Sequence, residues 1–513
     1  MSISILDEIV QLRINDIEKK GVTLGFSVPK ERTRAITPFM DTKGAILEIK
    51  RASPSKGDIA VDLDEKQTAL EYCKAGAKAI SVLTESHYFK GELDDLVSVC
   101  DTVDSYKADN KECTTAVLRK DFLLYPDEVD VSYLCGADAV LLISRILDEQ
   151  TMIAMAKRCQ SLGITALIEL RQDEDLVKLG KVVEQVDTRY IVCGVNSRDL
   201  KDFSIDFLTP ASLLNRIKAI AGDDARVIFE SGIRTPDAAL FVGSLGFTGM
   251  LLGEAAARNP KESTALVNGF ISGKTTQEAK QWLDYADKKE SCKKTRVKIC
   301  GITNKEDAIK ACELGADFLG FIIWNKSKRC CNVNNIPEIA KALQDKGLRK
   351  LVKLVAVIVE PESEEAIKAC SFAKEGIIDF IQLHSLSDYV LQKRFNVSIP
   401  HYCAVNIGNE QDIKIVDDLR YLGEPRILID AKAENQIGGT GITIAKDLVD
   451  KVSHKTKVWL AGGINPDNVE QILTNCNPEL IDISSGVELS PGKKDYVKLE
   501  KLFEKVKIYN GEI

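Results

Sequence analysis

Three segments of the chain share a pattern that few folds accommodate: a helix end, a Gly-Ala pair and then a run of apolar residues. They read CKAGAKAISVL at 73–83, CGADAVLLI at 135–143 and CELGADFLGFII at 312–323. A glycine after a helix supplies the left-handed cap, and an apolar run without alternation suits a strand buried on both faces. The pattern is therefore typical of strand–helix–strand units in a parallel sheet.

Apolar runs separated by helical periodicity occur in two series of eight. Eight such units within about 250 residues favour a closed (β/α)₈ barrel over an open sheet. We therefore predict an α/β protein with two tandem (β/α)₈ TIM barrels. The strands of the first are expected at 45–50, 78–83, 115–120, 138–143, 165–170, 190–196, 226–231 and 248–253. Those of the second are expected at 296–301, 317–323, 353–359, 378–384, 401–407, 426–430, 457–463 and 481–486.

A polar stretch without strand character, roughly 260–294, separates the two series and ends in DKKESCKKTR. Its spacing is compatible with helix. We predict a first barrel at 1–265, a helical and charged linker at 266–294, and a second barrel at 295–513. Because the linker should carry no barrel strand, cutting within 275–293 should leave two separable halves.

Composition excludes several classes of protein. The net charge is −8 without a long basic run, which argues against a nucleic-acid partner. No stretch approaches 18 uninterrupted apolar residues, so no membrane span is expected, and the first 20 residues are typical of an amphipathic helix. Fourteen scattered cysteines without C-x-x-C, and only four histidines, indicate reduced thiols and no metal site. We expect a cytoplasmic protein.

Polar residues recur where the first eight strands end, which is where barrel enzymes have their active sites. A weak surface ion pair would explain one charged strand end, but five of eight indicate a site. Two ammonium groups and three carboxylates in one cavity can separate into acids and bases through burial and mutual charge. The residues are Glu48 and Lys50, whose side chains should share a face, with Lys120, Glu169, Asn196, Glu230 and Ser231.

The motifs around these residues resemble known families. LEIKRASPSKG, AISVLTESHYFKG, LRKDF, GVNSRDL and FESGI, within about 1–260, resemble indole-3-glycerol-phosphate synthase. VKICGIT, FLGFII, IQLH, ILID, GGTG, AGGINPDNV and SSGVE followed by PGKKD, within about 295–513, resemble phosphoribosylanthranilate isomerase. The resemblance implies a bifunctional enzyme of tryptophan biosynthesis that acts on small phosphosugar-anthranilate substrates, needs no metal or organic cofactor and is a monomer.

The resemblance also implies a role for each residue of the first site. Lys120 would be the general acid that polarises the substrate ketone, while Lys50 would bind the departing carboxylate and protonate the leaving hydroxyl. Glu169 would be the base that restores aromaticity, and Glu48 would orient the lysines. A ketone and a hydroxyl need proton donors, and the aromatised carbon needs an acceptor. The residues implied to position the substrate or its phosphate are Asn196, Glu230, Ser231, Ser53, Arg198, Gly232 and Gly253.

In the second barrel, Cys300 ends the first strand and Asp430 ends the sixth, so both should face one mouth. A lone cysteine among apolar residues is usually a small core residue. The resemblance instead implies that Cys300 removes the C2 proton of the sugar, that Asp430 protonates the furanose ring oxygen, and that Arg329 binds the anthranilate carboxylate. The other residues implied to bind substrate or phosphate are Gln382, His384, Gly438, Gly439, Gly441, Gly462, Gly463, Ser485 and Gly486.

The sequence departs from the family patterns at three positions near these sites, and the segment ITIAKDL after GGTG also lacks the aromatic residue that the resemblance implies. Glu254 stands where the synthases usually have serine, Lys328 where the isomerases have proline, and Ser385 where they have glycine. Three alternatives stay open: one barrel is catalytically silent, the barrels form a sugar-phosphate sensor, or they form a different aldolase or epimerase pair that uses a lysine Schiff base.

Overall fold

The computed structural model describes residues 4–54, 56–198, 204–287, 294–393, 398–431 and 444–513. The chain divides into two compact units, Met1–Thr275 and Thr276–Ile513. Each unit contains one closed barrel of eight parallel strands. The predicted pair of barrels is therefore confirmed, and each of the predicted strands overlaps an observed one.

The first unit begins with a helix and then forms its barrel. Its barrel strands are β1 (Gly44–Ile49), β4 (Ala79–Leu83), β5 (Ala116–Lys120), β6 (Ala139–Ile143), β7 (Thr165–Leu170), β8 (Ile191–Asn196), β9 (Val227–Glu230) and β10 (Gly249–Leu252), and β2 (Ala52–Ser53) and β3 (Gly57–Asp58) form a small hairpin after β1. Its helices are α1 (Ile5–Lys20), α2 (Glu65–Lys74), α3 (Leu93–Asp109), α4 (Asp127–Leu134), α5 (Glu149–Leu162), α6 (Asp173–Val183), α7 (Leu208–Ala221), α8 (Pro236–Ser244), α9 (Glu254–Arg258) and α10 (Ser263–Ser272).

The second unit also begins with a helix and continues with its barrel. Its barrel strands are β11 (Arg296–Cys300), β12 (Phe318–Ile323), β13 (Lys353–Ile358), β14 (Phe380–His384), β15 (His401–Ile407), β16 (Ile427–Ala431), β17 (Trp459–Ala461) and β18 (Leu480–Ile483), and β19 (Glu488–Ser490) pairs with β20 (Lys493–Lys494). Its helices are α11 (Gln277–Ala286), α12 (Lys305–Leu314), α13 (Ile336–Asp345), α14 (Glu364–Lys374), α15 (Ser387–Leu391), α16 (Ile413–Leu422), α17 (Lys446–Ser453), α18 (Val469–Cys476) and α19 (Tyr496–Asn510).

The repeated Gly-Ala pattern works as predicted. Gly76, Gly136 and Gly315 have φ values of 80°, 97° and 113°, which place them in the left-handed region that glycine adopts without strain. Each glycine ends a helix and turns the chain into a barrel strand whose residues are almost all buried. The local sequence thus sets the direction of every such strand, and all carboxyl ends of a barrel meet at the same mouth.

Two helices overlap the predicted linker 266–294 in the sequence, α10 in the first unit and α11 in the second. α10 packs closely on α8, since a side chain at Gly243 would come within 2.2 Å of the Phe270 carbonyl oxygen. α11 packs on the second barrel, where the Trp282 ring lies 4.9 Å from Phe380 and 6.2 Å from Trp459. Those two rings belong to the first residues of β14 and β17. The segment 266–294 therefore includes a helix that closes the amino-terminal end of the second barrel, opposite its mouth.

The stability of the second unit should therefore depend on α11. We expect a fragment 276–513 to fold, and Trp282→Ala within it to lower the free energy of unfolding by about 3–5 kcal/mol, as truncation of a fully buried tryptophan does. Urea unfolding followed by circular dichroism measures the change. The exposed Lys280, on the same helix, supplies the control: Lys280→Ala should leave the midpoint unchanged. Equal midpoints for both variants would contradict a closing role for α11.

Candidate active sites

A chain of charged groups occupies the mouth of the first barrel. Glu48 on β1 is 1% exposed, and its carboxylate lies 3.1 Å from the Lys50 ammonium and 3.1 Å from the Lys120 ammonium. Burial alone would raise the pKa of Glu48, but the two cations lower it to about 2. The predicted orientation of Glu48 and Lys50 to one side is thus observed. Glu48 remains a carboxylate that holds both lysines in place.

Glu230 lies behind Lys120 rather than beside the open cavity. Its carboxylate is fully buried and 3.5 Å from the Lys120 ammonium. Gly194 makes room for it, because a Cβ there would lie 2.1 Å from Glu230 Oε1. Burial raises the pKa of Glu230. Burial lowers the pKa of Lys120, but the neighbouring carboxylates outweigh this effect, so the pKa of Lys120 is raised on balance. Lys120 therefore keeps its proton. Glu230 does not line the cavity and affects it through its contact with Lys120.

The other predicted residues line one cavity with these charges. Asn196 accepts a hydrogen bond from the Arg198 backbone N–H at 3.0 Å, which fixes the turn after β8. Ser231 has a φ of 73°, a left-handed conformation that a serine adopts only under strain, and strain of this kind concentrates at functional sites. The wall contains the predicted residues Lys50, Ser53, Lys120, Glu169, Asn196, Arg198, Ser231, Gly232 and Gly253.

Sequence reasoning missed several residues of this wall. Four further cations line it: Lys56, Arg145, Arg171 and Arg234. Arg171 follows the end of β7, where its Nε lies 3.4 Å from Glu169 Oε1. Arg171 stands two residues beyond Glu169 and Arg234 three residues beyond Ser231, so a search for cations just after each strand end could have found them. The cavity is therefore more cationic than predicted, as suits a ligand with anionic groups.

Apolar residues complete the wall, and three of them come from the first helix. Ile5, Leu6 and Ile9 of α1 line the cavity. Phe89, from the loop after β4, lies with its ring centroid 5.3 Å from the Lys50 ammonium. The amphipathic spacing of residues 1–20 predicts the helix, but its apolar face alone does not say that it covers a barrel mouth. The apolar surface that α1 and Phe89 add to the cavity suits an aromatic ring of a ligand.

Glu254, the unusual residue after β10, directs its charge along its own helix. Its Oε1 accepts a hydrogen bond from Arg258 Nε at 3.2 Å. Glu254 still lines the cavity, next to Gly253. A Cβ at Gly253 would lie 2.7 Å from Glu48 Oε1, so the backbone must approach that carboxylate closely.

The mouth of the second barrel holds the predicted thiol and carboxyl group. Cys300 and Asp430 line the same cavity and are each 7% exposed. Burial raises the pKa of Cys300 to about 11, although Lys298 works against this. Burial and then Asp482 raise the pKa of Asp430 to about 6. The cavity thus holds a thiol that is less acidic than an ordinary cysteine and a carboxyl group that is protonated more easily than an ordinary aspartate.

His384 and Gln382 of β14 lie in the wall between these two groups. Burial and then Lys298 lower the pKa of His384 to about 4, so its ring is neutral at physiological pH. Its Nε2 lies 4.0 Å from Asp430 Oδ2, and within the described residues this nitrogen has no hydrogen-bond partner. A neutral imidazole aimed at the acid can contact a substrate oxygen.

Arg329 lies in the wall but is held by a carboxylate. Its Nε donates to Glu488 at 2.9 and 3.1 Å, and Lys494 Nζ lies 3.1 Å from the same carboxylate. Lys494 also donates to the Cys300 carbonyl oxygen at 2.6 Å. This network ties the loop after β12 to the end of β11. PGKKD, one of the motifs that resemble the isomerases, contributes Lys494 to this network.

The structure describes only some of the glycine and serine residues that are predicted to bind substrate or phosphate in the second barrel. Gly462, Gly463 and Ser485 line the cavity, with φ values of 96° and 62° at the two glycines. A Cβ at Gly486 would lie 2.0 Å from the Ile464 carbonyl oxygen, so this position serves close backbone packing. The predicted residues Gly438, Gly439 and Gly441 lie outside the described residues.

The two unusual residues of the second barrel are accommodated in different ways. Ser385 has a φ of 57°, which explains why glycine suits this position, and its Oγ accepts a hydrogen bond from Asn406 Nδ2 at 2.7 Å. Lys328 is exposed on the loop after β12. Trp324 on that loop also lines the cavity and was missed. An aromatic residue directly after a strand end was the available signal.

Among the described residues, no group of three or more His, Cys, Asp or Glu side chains is placed to hold a metal ion. No helix in those same ranges has the length and apolar character needed to cross a bilayer.

Comparison with known proteins identifies the two barrels. The family model described as Indole-3-glycerol phosphate synthase matches residues 26–268, and that described as N-(5'phosphoribosyl)anthranilate (PRA) isomerase matches residues 297–505. The tryptophan biosynthesis protein TrpCF of Vibrio parahaemolyticus is 30% identical, with 90% of this chain and 85% of that protein aligned.

Two further relatives cover different parts of the chain. The indole-3-glycerol phosphate synthase of Rippkaea orientalis is 34% identical over 52% of this chain and 89% of that protein. A multifunctional tryptophan biosynthesis protein of Phycomyces blakesleeanus is 30% identical over 90% of this chain, which spans 62% of that relative's length. The chain belongs to the family of tryptophan biosynthesis proteins in which an indole-3-glycerol phosphate synthase domain is followed by a phosphoribosylanthranilate isomerase domain.

Proposed function

We propose that the chain catalyses two consecutive reactions, one in each barrel. The second barrel isomerises N-(5-phosphoribosyl)anthranilate to 1-(2-carboxyphenylamino)-1-deoxyribulose 5-phosphate. The first closes that product to indole-3-glycerol phosphate with loss of carbon dioxide and water. One observation carries the proposal: each mouth brings together a proton donor and a proton acceptor on one cavity, Lys120 with Glu169 and Cys300 with Asp430.

In the isomerase barrel, the proposed acid and base act on opposite ends of one rearrangement. Asp430 protonates the furanose ring oxygen, and the ring C–O bond breaks as the nitrogen forms a C=N bond with C1. Cys300 then removes the proton from C2, which gives an enol with a C1=C2 bond, and this enol becomes the ketone as C1 gains a proton and the C2 hydroxyl loses one. The raised pKa of Asp430 supports its role as donor. Gly462, Gly463 and Ser485 would hold the phosphate, and Arg329 the anthranilate carboxylate.

In the synthase barrel, the proposed roles follow the arrangement of charges. Lys120 donates a proton to the ketone oxygen while the ring carbon that carries the carboxylate attacks the carbonyl carbon. Lys50 binds that carboxylate until it leaves as carbon dioxide, and then protonates the hydroxyl that leaves as water. Glu169 takes the last proton as the indole becomes aromatic. Glu48 contacts both ammonium groups at 3.1 Å and holds them aimed into the cavity.

The pH dependence of the isomerase should show an unusual form. Between the pKa of Asp430, about 6, and that of Cys300, about 11, the resting pair is carboxylate and thiol. The active pair, carboxylic acid and thiolate, holds the same number of protons, so its population does not change with pH in that range. Below pH 6 both groups are protonated and the active fraction falls about tenfold per pH unit.

We therefore expect kcat/KM of the isomerase to be level from about pH 7 to 9 and to fall on acidification. Steady-state assays from pH 5 to 9 measure this dependence. A tenfold fall in kcat/KM between pH 7 and 9 would contradict the assignment.

One assay tests both proposed reactions. Purified protein is mixed with phosphoribosylanthranilate, and the loss of anthranilate fluorescence is followed together with the formation of indole-3-glycerol phosphate. The fluorescence should fall first, and indole-3-glycerol phosphate should then accumulate. Accumulation of the ketose alone would show that only the second barrel is active, and no loss of substrate would contradict the isomerase.

We further propose that the chain acts as a monomer in the cytoplasm. Every cysteine that the structure describes is a free thiol, which suits a reducing compartment. Sedimentation velocity at micromolar concentration should give the mass of one chain, and a concentration-dependent increase would contradict the monomer.

A further inference from the structure

A buried ion pair next to Cys300 has no part in the mechanism proposed above. Lys298 on β11 is 0% exposed, and its Nζ lies 2.6 Å from Asp482 Oδ2 on β18. It also donates to Gln382, which accepts a second hydrogen bond from the Tyr402 hydroxyl at 3.0 Å. Taking a lysine out of water is costly, and a buried pair is often no more stabilising than apolar residues of the same size. Fold stability alone therefore gives no reason for an ammonium group here.

The neighbouring strand places this ammonium group beside the thiol. A Cβ at Gly320 on β12 would lie 2.8 Å from Cys300 Sγ and 3.0 Å from Lys298 Cε. Cys300 Sγ and Lys298 Cε thus both lie against the position that a side chain at residue 320 would occupy, and only a glycine there leaves room for both. Lys298 and Cys300 are two residues apart on β11, so their side chains point to the same side of the strand.

Several other charged or titratable groups face Cys300, but they differ in kind. Asp430 and His384 act across the cavity, and the Lys494 ammonium is engaged by Glu488 and by the Cys300 carbonyl oxygen. Lys298 and Lys494 are both buried, where charge interactions are little screened by water, and of the two Lys298 has the larger effect on the pKa of the thiol. Among the described residues, the charged or titratable groups around Cys300 are Lys298 on its own strand, Asp482 on β18, Asp430 on β16, His384 on β14, Tyr402 on β15, Arg329 on the loop after β12, and Lys494 with Glu488 on the β19–β20 hairpin.

We infer that Lys298 is a positioning residue for the isomerase reaction: its buried ammonium group stabilises the thiolate form of Cys300, and Asp482 fixes that ammonium group in place. The inference rests on the proposed base role of Cys300. Because Asp482 carries the opposite charge, it also limits the effect of Lys298 on the thiol. Burial raises the pKa of Cys300, Lys298 lowers it and Asp482 raises it, which agrees with this division.

The test measures how fast iodoacetamide alkylates Cys300 at different pH values in the full-length chain, with the modified peptide quantified by mass spectrometry. Only the thiolate reacts, so the curve reports the acidity of the thiol. Asp482→Asn leaves the cation without its anion and should speed alkylation at pH 8 about tenfold. Lys298→Met should slow it about tenfold, and these opposite changes correspond to about one pKa unit each. Cys330, which is exposed, is the internal control, and its curve should not differ between variants.

Opposite shifts support the inference, and shifts of the same sign or unchanged curves overturn it, because an ion pair that only supports the fold would be disturbed alike by either change. Should Lys298→Met fail to fold, Asp482→Asn decides alone: faster alkylation supports the inference, and equal or slower alkylation overturns it. The measurement needs no turnover. A chain that alkylates as expected but does not isomerise phosphoribosylanthranilate would contradict the proposed function and leave the effect of Lys298 on the thiol intact.

Discussion

Replacement of Lys120 by alanine is expected to abolish the formation of indole-3-glycerol phosphate while isomerisation continues. The ammonium group is the proposed proton donor to the ketone, and loss of general acid catalysis alone costs about 10²- to 10⁴-fold in turnover. The effect should lie at the upper end or beyond. Removal of Lys120 also leaves the buried carboxylates of Glu48 and Glu230 without a cation they share, 3.1 and 3.5 Å away. Turnover of externally supplied carboxyphenylamino-deoxyribulose phosphate measures the loss.

The same two carboxylates make controls necessary, because loss of one partner from a buried ion pair costs about 3–5 kcal/mol and can unfold the domain. Lys120→Met keeps the aliphatic stem and should be as inactive as Lys120→Ala. Lys43→Ala removes a lysine that donates to the carbonyl oxygens of Gly243 and Gly273, beyond the amino end of β1. It should reduce stability with little change in turnover. Equal loss of both activities in Lys120→Ala with an intact circular dichroism spectrum would contradict two separate sites.

The fold could be predicted from local pattern because its determinants are local. Buried parallel strands need uninterrupted apolar runs, and the left-handed turns before them need glycine, as at Gly76 and Gly136. The attachment of α11 was harder to predict. Trp282 and Tyr285 stand three residues apart on one helix face, which indicates an apolar stripe, but the rings that receive them come from strands about 100 and 180 residues later. Periodicity shows that a face is buried and not what covers it.

The sites could be predicted as positions and less well as contacts. Carboxyl ends of barrel strands converge whatever the sequence, so Glu48, Lys120 and Glu169 had to meet. The retreat of Glu230 behind Lys120 depends on the absence of a side chain at Gly194, one strand away. The pairing of Arg329 with Glu488 joins residues far apart in the chain. Such contacts arise from packing between elements, and no spacing rule within one segment encodes them.

Replacement of Cys300 by serine should be far more damaging than the change in size suggests. The two side chains are nearly equal in volume, so a cysteine that only filled the core would give near-normal turnover and a modest loss of stability. As the proposed base that removes the C2 proton, Cys300 must form its anion, and a serine alkoxide is hardly accessible where a thiolate still forms. We expect isomerase turnover to fall by at least about 10²- to 10⁴-fold, as measured by the fluorescence of phosphoribosylanthranilate.

A second buried cysteine of the same barrel separates chemistry from packing. Cys403 lies on β15, is 0% exposed and does not belong to the wall of the cavity that the described residues form. Cys403→Ser places the same hydroxyl in an apolar site and should cost as much stability as Cys300→Ser, or more, without loss of turnover. Synthase activity on supplied ketose phosphate should persist in both variants because the proposed acid and base of that reaction, Lys120 and Glu169, lie in the first barrel. Parent-rate isomerisation by Cys300→Ser would show that the cysteine is a packing residue, and the proton would then have to leave C2 for another group facing the cavity, of which neutral His384 is the nearest in kind.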